Sequence, residues 1–218
     1  SLCTFAQGWP AHYDGVMLQG FYWDSYDVST WRKLTNEADE LSKFFSLIWI
    51  PQSGKCLESN KVMGYTPYYY FNQNSSFGTE QELRSMIQTF KAKGLGTVAD
   101  VVINHHNTMG WWTFPAEEYK GVTYQFQTTD IVNNDDYDPS TNRYLTREQA
   151  QKDGVTLSSN IDEGEGWGGM RDLDHKSENV QKIVKAYVKY LKDDLGYTGF
   201  RYDMVKGFGG SHVADYND

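Results

Sequence analysis

Short apolar runs alternate along the chain with segments whose apolar residues recur at helical spacing. The runs at 15–23 and 47–50 predict the first two strands, and Pro51 ends the second. Between them, Ser29 or Thr30 is placed to cap a helix. The apolar face of that helix would contain Trp31, Leu34, Ala38, Leu41, Phe44 and Phe45.

The same rhythm continues in two further units. Thr79 and Glu82 predict a capping box that opens a helix ending at Gly94, and the run at 96–106 predicts the third strand. Near the end of the chain, apolar residues spaced three and four apart from Val180 to Leu195 predict another helix, and 198–205 predicts the fourth strand. Strands that alternate with helices in this way are typical of parallel βα units.

Between 106 and 171 the rhythm stops. This stretch is rich in Trp, Asn, Asp, Gly and Tyr, it suggests no helix of convincing length, and it is too long for an ordinary loop. We therefore expect an N-terminal tail at 1–14, barrel segments at 15–105 and 172–218, and an irregular domain inserted at 106–171. The last segment would carry the third helix and the fourth strand.

Four βα strands fit either a doubly wound sheet or half of a (β/α)₈ barrel. A doubly wound nucleotide-binding sheet would carry a Gly-rich G-x-G-x-x-G turn after its first strand, and this sequence has none there. The favoured fold class is α/β, an incomplete (β/α)₈ TIM barrel made of its first four strands with an irregular domain inserted after the third.

Composition narrows the function classes. The net charge of −9 and the absence of a Lys/Arg run argue against a nucleic-acid partner, and no apolar stretch is long enough to predict a membrane span. The 16 Tyr and 7 Trp residues favour a carbohydrate ligand, because aromatic faces stack on the apolar faces of sugar rings. Cys3 and Cys56 form neither a disulfide framework nor a zinc motif.

The opening ten residues are compatible with two interpretations. They resemble the end of an apolar signal segment, which predicts a secreted or periplasmic protein, or they are a disordered chain end.

Charged residues stand at the carboxyl ends of the predicted strands, where α/β enzymes place their sites. Arg201 and Asp203 alternate onto the same side of strand four, so the guanidinium can keep the carboxylate ionised. They are either a nucleophile with its charge partner or a simple buried ion pair. On strand three, Asn104 and His105 are either functional or satisfied hydrogen-bonding residues, and Asp100 can serve to organise hydrogen bonds inside the barrel.

The inserted domain ends in an acidic, glycine-rich stretch. Its carboxylates on flexible backbone suit Ca²⁺, yet their spacing is not that of the twelve-residue helix-flanked calcium loop. A calcium site and a solvated acidic loop both remain open at this point. The residues concerned are Asp162, Glu163, Glu165, Asp172 and Asp174.

Two motifs carry a family resemblance. "DVVINH" (100–105) and "GFRYDMVKG" (199–207) resemble the first two signature regions of the α-amylase family of retaining glycoside hydrolases. "QGFYWDSY", "IWIPQS", "GYTPYYYF" and "DLDH" follow in the order of the family, and the run at 172–207 is most similar to plant-type and related bacterial members. The resemblance spans roughly 15–208 and implies a (β/α)₈ barrel with a domain B after strand three.

The resemblance also implies roles for individual residues. Asp203 resembles the catalytic nucleophile and Arg201 its charge partner, while Tyr65 and His105 resemble residues that bind the sugar at the cleaved subsite. Lys206 would reach the leaving-group side, and Trp112 is a further aromatic expected to hold glucan. A structural calcium is implied, bound by the side chains of Asn104, Asp162 and Asp172 and by backbone carbonyls of Gly207 and Glu165.

The mechanism implied by the family needs two carboxyl groups roughly 5 Å apart. The family takes its acid/base glutamate from strand five, which lies beyond Asp218. We expect the parent protein to be an endo-acting α-amylase that cleaves α-1,4 bonds of starch-type glucans through a glycosyl-Asp203 intermediate, and this chain alone to be inactive. The alternatives are a catalytically incomplete glucan-binding fragment and another α-glucan hydrolase or transglycosylase. The missing barrel half would come from the rest of the chain, a second chain or self-association.

Overall fold

The structure, a computed structural model, describes residues 13–58 and 61–218. Most of the predicted N-terminal tail lies outside the described residues. The first part of the chain forms β1 (Met17–Gln19), α1 (Trp31–Asn36), α2 (Ala38–Phe44), β2 (Leu47–Trp49), α3 (Glu80–Ala92) and β3 (Gly96–Val101).

The first predicted helix is in fact two helices. Thr30 caps α1 as predicted, since its side-chain oxygen accepts a hydrogen bond from the backbone N–H of Lys33, but the helix ends before Glu37 and α2 begins after it. The apolar face nevertheless continues across the break, since Trp31 and Ala38 are buried and Leu34, Leu41 and Phe45 pack against the core. The prediction that Phe44 faces the core is wrong, because its side chain is exposed.

The capping box of α3 is confirmed. Glu82 N–H donates to Thr79 Oγ1 over 3.2 Å, and Thr79 N–H donates to Glu82 Oε2 over 2.9 Å. The helix buries Leu83, Met86 and Phe90 against the sheet. This packing holds α3 on the outside of the sheet whose strands carry the polar residues.

The inserted segment is built from short antiparallel pairs. β4 (His105–His106) pairs with β9 (Arg171–Asp172) and thereby closes the insertion at its base. Between them lie two hairpins and a helix: β5 (Glu117–Tyr119) with β6 (Val122–Tyr124), β7 (Tyr137–Asp138) with β8 (Arg143–Tyr144), and α4 (Leu145–Asp153).

Two sequence-based expectations fail in this segment. The third strand ends at Val101 instead of continuing to 106, because the chain turns at 102–104 and His105 pairs with Asp172. The nine-residue helix α4 was not expected. It buries Thr146 and Ala150 but no large apolar side chain, so the sequence carries no apolar stripe to reveal it.

The chain ends with α5 (Glu178–Lys189), which continues into a π-helical turn at Tyr190–Leu195, then β10 (Gly199–Tyr202) and α6 (Gly210–Asn217). The central sheet is parallel, with strand order β1-β2-β3-β10. Parallel strands in sequential order, with helices between them, are the arrangement of the first half of a (β/α)₈ barrel. The register pairs Arg201 with Asp100, so both stand at the same level of the sheet.

Within the described residues, no helix is long and apolar enough to cross a membrane.

Candidate active site

A three-residue charge cluster lies at the carboxyl end of β3 and β10. Arg201 Nη1 donates to Asp203 Oδ1 over 2.6 Å and to Asp100 Oδ1 over 3.0 Å. The predicted pairing of Arg201 with Asp203 is therefore present, and one guanidinium joins both carboxylates. Asp203 is held further by its backbone N–H, which donates to the carbonyl of Val101 over 2.9 Å.

The two carboxylates differ in burial. The side chain of Asp100 is fully buried, whereas that of Asp203 is 17% exposed and that of Arg201 is 35% exposed. Asp203 is thus the carboxylate that a ligand can reach from solvent. Burial opposes the charge of Arg201, but Asp100 and Asp203 outweigh it and raise the pKa of the guanidinium. The guanidinium stays charged at every physiological pH.

Asp100 lies beneath this site and accepts hydrogen bonds from three side chains. Besides Arg201 it binds Trp49 Nε1–H (3.1 Å) and the hydroxyl of Tyr65 (3.2 Å), both through Oδ2. Burial raises the pKa of Asp100 to about 6, although Arg201 pulls it in the other direction. The sequence predicts Asp100 only as an organiser of internal hydrogen bonds. The structure shows that this organising role extends to Arg201 and Tyr65.

Tyr65 and His105 are brought together by a backbone contact. The Nε2–H of His105 donates to the carbonyl of Tyr65 over 2.9 Å. Burial lowers the pKa of His105, so the imidazole is neutral at pH 7. The ring of Trp167 lies 4.4 Å from the His105 ring and covers it. In this arrangement His105 is buried, and Trp167 is one of the residues that pack against it.

Two aromatic residues of this site were not predicted from the sequence. Trp23 stacks on Tyr65 at 6.2 Å with nearly parallel rings, and Trp167 covers His105. Trp23 follows the first strand, and Trp167 stands in the glycine-rich run "GEGWGG". An aromatic residue directly after a predicted strand, or within a glycine-rich run, is the sequence signal that could have identified them.

The remaining predicted substrate residues lie at the margin. Lys206 is exposed, and its Nζ contacts Glu165 Oε2 at 2.5 Å, so it bridges the end of β10 to the inserted segment. Trp112 belongs to the insertion, where its Nε1–H donates to Asp153 Oδ2 over 2.8 Å. Among the described residues, the contacts of Trp112 do not join it to Tyr65, His105 or Asp203.

The predicted metal ligands converge between the insertion and the barrel. Asn104 Nδ2 donates to Asp172 Oδ1 over 3.2 Å, and Asn104 Oδ1 faces Gly207 so closely that a Cβ at Gly207 would overlap it. A Cβ placed on Gly166 would lie 3.5 Å from Asp172 Oδ2 and 3.7 Å from Asp162 Oδ2. The backbone N–H of Glu165 donates to the carbonyl of Lys206 over 3.1 Å, which holds the acidic loop against 204–207.

Three observations test whether these residues suit a hard cation. Asp162 Oδ2 is buried and has no hydrogen-bond partner among the described residues. Burial, with Asp135 and Asp162 nearby, raises the pKa of Asp172 to about 9, so the neighbouring groups do not supply enough positive charge to stabilise its ionised form. The donors are carboxylate, amide and carbonyl oxygens, the ligands that Ca²⁺ prefers. The donor set fits Ca²⁺.

Within residues 13–58 and 61–218, no three His, Cys, Asp or Glu side chains form a group that could hold a metal. Of the predicted donors, Asp162 and Asp172 supply side-chain carboxylates, and the others are an amide and backbone carbonyls.

Comparison with known proteins gives one family and related structures. The family model "Alpha amylase, catalytic domain" matches residues 46–218. The chain is 29% identical to Alpha-amylase 3, chloroplastic, of Arabidopsis thaliana over 210 residues, covering 93% of this chain and 21% of that protein. It is 26% identical over 218 residues to a glucan 1,4-alpha-maltotetraohydrolase of Stutzerimonas stutzeri, covering 93% and 35%.

The fold likeness extends to solved structures. Alpha-amylase I from Eisenia fetida aligns with a TM-score of 0.63 at 20% identity, over 93% of this chain and 40% of that one. At this identity the alignment shows the shared fold alone. The chain spans between about a fifth and less than half the length of the relatives named here and of Probable alpha-amylase 2 of Arabidopsis thaliana.

Proposed function

Since the chain belongs to the family of the alpha-amylase catalytic domain, we propose that the protein carrying it is an endo-acting α-amylase. It would hydrolyse internal α-1,4 bonds of starch- or glycogen-type glucans with retention of configuration. The reaction would pass through a covalent glycosyl-Asp203 intermediate.

The contact between Arg201 and Asp203 carries this proposal. The guanidinium holds Asp203 Oδ1 at 2.6 Å, and the remaining exposure of the Asp203 side chain leaves it open to a ligand. The pair stands at the carboxyl end of a barrel strand, where the catalytic residues of this fold gather.

In the proposed reaction, an Asp203 oxygen attacks the anomeric carbon as the glycosidic C–O bond breaks. The departing oxygen takes a proton from an acid outside this chain, and that group then activates the water that releases the sugar from Asp203. Arg201 orients the Asp203 carboxylate, and Asp100 holds Arg201 in place from below. Both act before the sugar arrives, so little reorganisation is required at the transition state.

The remaining residues would bind the glucan. Tyr65, stacked with Trp23, offers an aromatic face beside Asp203, and His105 lies next to it. Lys206, at the mouth of the site, would contact the part of the glucan on the leaving-group side of the cleaved bond. Trp112, in the insertion, would contact the glucan further from that bond. These roles follow from the family resemblance together with the positions described above.

We propose that Ca²⁺ occupies the junction of the insertion and the barrel. Asn104, Asp162 and Asp172 would hold it through side-chain oxygens, and Gly207 and Glu165 through backbone carbonyls. When bound, the cation supplies no step of the chemistry and neutralises the buried carboxylates that otherwise repel one another. It would thereby tie the glycine-rich loop to the segment that follows Asp203.

The 218-residue chain taken alone would hold glucan without hydrolysing it. Retaining hydrolysis needs a second carboxyl group that can reach the glycosidic oxygen. Asp100 is the carboxyl group that Arg201 joins to Asp203, but it is buried under Trp49 and Tyr65. Glu163 and Glu165 are paired with His212 and Lys206. The second barrel half would come from the rest of the protein, a second chain or self-association.

The proposal also covers where the protein acts and which reaction of α-glucosides it catalyses. A secreted or periplasmic protein would give the site access to polymeric glucan, and this is the location that we propose. Hydrolysis of other α-glucosides and glycosyl transfer to an acceptor use the same Asp203 chemistry. The product of the reaction, free sugar or transferred glycoside, would distinguish them.

The test is Asp203→Asn in the full-length protein. We expect the rate of starch hydrolysis to fall by roughly 10⁴-fold, since the nucleophile is lost, while starch binding is retained. Asp215→Asn, an exposed aspartate on α6, is the matched control and should keep wild-type activity. Substantial hydrolysis by the Asp203→Asn variant would refute the assignment. Asp203-dependent hydrolysis by the 218-residue chain alone would refute the inactivity of the fragment.

A further inference from the structure

A cleft of about 330 Å³ lies in the inserted segment, separate from the charge cluster at Asp203. It opens between the β7–β8 hairpin and the glycine-rich run that carries Trp167. Its volume is at the lower end of the ~300–1,000 Å³ typical of small-molecule sites. Of the described residues, Tyr65, His105, Arg201 and Asp203 are all outside its lining.

Aromatic rings make up much of its wall. Tyr137, Tyr144 and Trp167 line the cleft, and the first and last of these remain 47% and 38% exposed. Tyr137 and Tyr144 lie 5.0 Å apart, and the guanidinium of Arg147 lies 4.4 Å from the Tyr144 ring and fixes it from its own side. Exposed aromatic faces that are held in place at a concave surface mark a binding site more often than a packing defect.

Polar groups complete the cleft. Asn134, Asp136 and Asp162 line it, so the cleft adjoins the proposed calcium site, which would engage the Asp162 carboxylate. The Asn134 side-chain oxygen accepts the backbone N–H of Asp162 over 2.7 Å, which anchors the wall to the glycine-rich loop. The side chain of Asp136 lies 3.9 Å from Arg171, too far for a hydrogen bond, and can accept one from a ligand hydroxyl. No lysine or arginine lines the cleft in the described part of the chain, so an anionic ligand is disfavoured.

We propose that this cleft is a second α-glucan-binding site, distinct from the site at Asp203. A glucose unit would stack on the exposed face of Tyr137, and its hydroxyls would donate to Asp136. A neutral ligand with alternating apolar faces and hydroxyl edges matches aromatic walls with carboxylate and amide acceptors. That the sugar is an α-glucan rests on the proposed function.

The position of Trp167 gives the second site a structural link to the first. Trp167 lines the cleft and also covers the ring of His105 at 4.4 Å. A glucan held in the cleft would contact a residue that also packs on His105. The second site would therefore keep long chains close to the first, while short substrates would not need it.

The test uses the full-length protein with two readouts. Binding to starch granules is measured in the Asp203→Asn background, with Tyr137→Ala, Tyr137→Phe and, as the matched control, Phe44→Ala, an exposed aromatic on the outer helix α2. We expect Tyr137→Ala to weaken granule binding about three- to tenfold, the loss typical of one aromatic stacking contact, and the other two to bind normally. In the active background, kcat/KM for a short chromogenic maltooligosaccharide should be unchanged by Tyr137→Ala.

Each outcome decides the proposal. Unchanged granule binding by a folded Tyr137→Ala variant overturns the second site, and so does an equal loss in Phe44→Ala. A parallel loss of kcat/KM on the short substrate would make the cleft part of the catalytic site, which also contradicts the proposal. If the Asp203→Asn protein binds no starch at all, the proposed function itself fails, and this is seen before Tyr137 is changed.

Discussion

Replacing Arg201 by methionine tests the charge cluster directly. Methionine keeps most of the apolar stem but removes the guanidinium that joins Asp203 at 2.6 Å and Asp100 at 3.0 Å. Asp100 would keep its hydrogen bonds from Trp49 and Tyr65 but lose its only cationic partner among the described residues. A buried carboxylate would then be left without a compensating charge.

The size of the effect follows from burial. Removing one partner of a buried ion pair lowers the free energy of unfolding by about 3–5 kcal/mol. Because the Arg201 side chain is 35% exposed, water screens part of this interaction, and we expect a loss of about 2 kcal/mol at pH 8. The pKa of Asp100, about 6, already lies above the ordinary value near 4, so its burial destabilises the fold at high pH and ceases to do so as the pH falls from 6 to 4. Loss of Arg201 raises this pKa further.

The free energy of unfolding of Arg201→Met should therefore lie well below that of the wild type at pH 8 and close to it at pH 4.5. The assay is urea unfolding of the full-length protein at both pH values, followed by tryptophan fluorescence. Arg201→Met with Asp100→Asn should recover most of the loss at pH 8, and Arg32→Met, which breaks an exposed pair with Glu82, should change stability by less than about 0.5 kcal/mol. An equal loss at both pH values, or no rescue by Asp100→Asn, would refute this reasoning.

Two other predictions concern stability. Thr79→Ala removes the reciprocal cap of α3 and should cost about 1 kcal/mol in the free energy of unfolding, while Ser85→Ala on the exposed face of the same helix should be neutral; equal effects would mean that the capping box contributes nothing measurable. A chelator should lower the melting temperature of the wild type by several degrees but not that of Asp162→Asn, and a chelator-insensitive wild type would contradict the calcium site.

The barrel elements could be predicted from the sequence because their signals are local. The capping box at Thr79 and Glu82 and the apolar stripe of α3 identify that helix without any tertiary information. The alternation of Arg201 and Asp203 predicts that they share one side of a strand. Each of these features depends on neighbours within a few residues.

The features that failed depend on distant contacts. The end of β3 is set by the pairing of His105 with Asp172, 67 residues further along the chain, and the helix α4 packs through Thr146 and Ala150 instead of through large apolar residues. The organising role of Asp100 is predicted, but its contact with Arg201 is not, because that contact requires the register that pairs the two residues. None of these can be inferred from spacing along one segment.

The central claim is that Asp203 becomes covalently glycosylated during turnover. Incubation of the full-length protein with a slowly released substrate, such as a 5-fluoro α-maltosyl fluoride, would accumulate the intermediate for mass spectrometry. Trypsin cuts after Arg201 and Lys206 and releases residues 202–206, whose only side-chain carboxyl is Asp203. We predict a sugar adduct on this peptide in the wild type and none in Asp203→Asn. An adduct on another peptide, or full activity with no adduct, would contradict it.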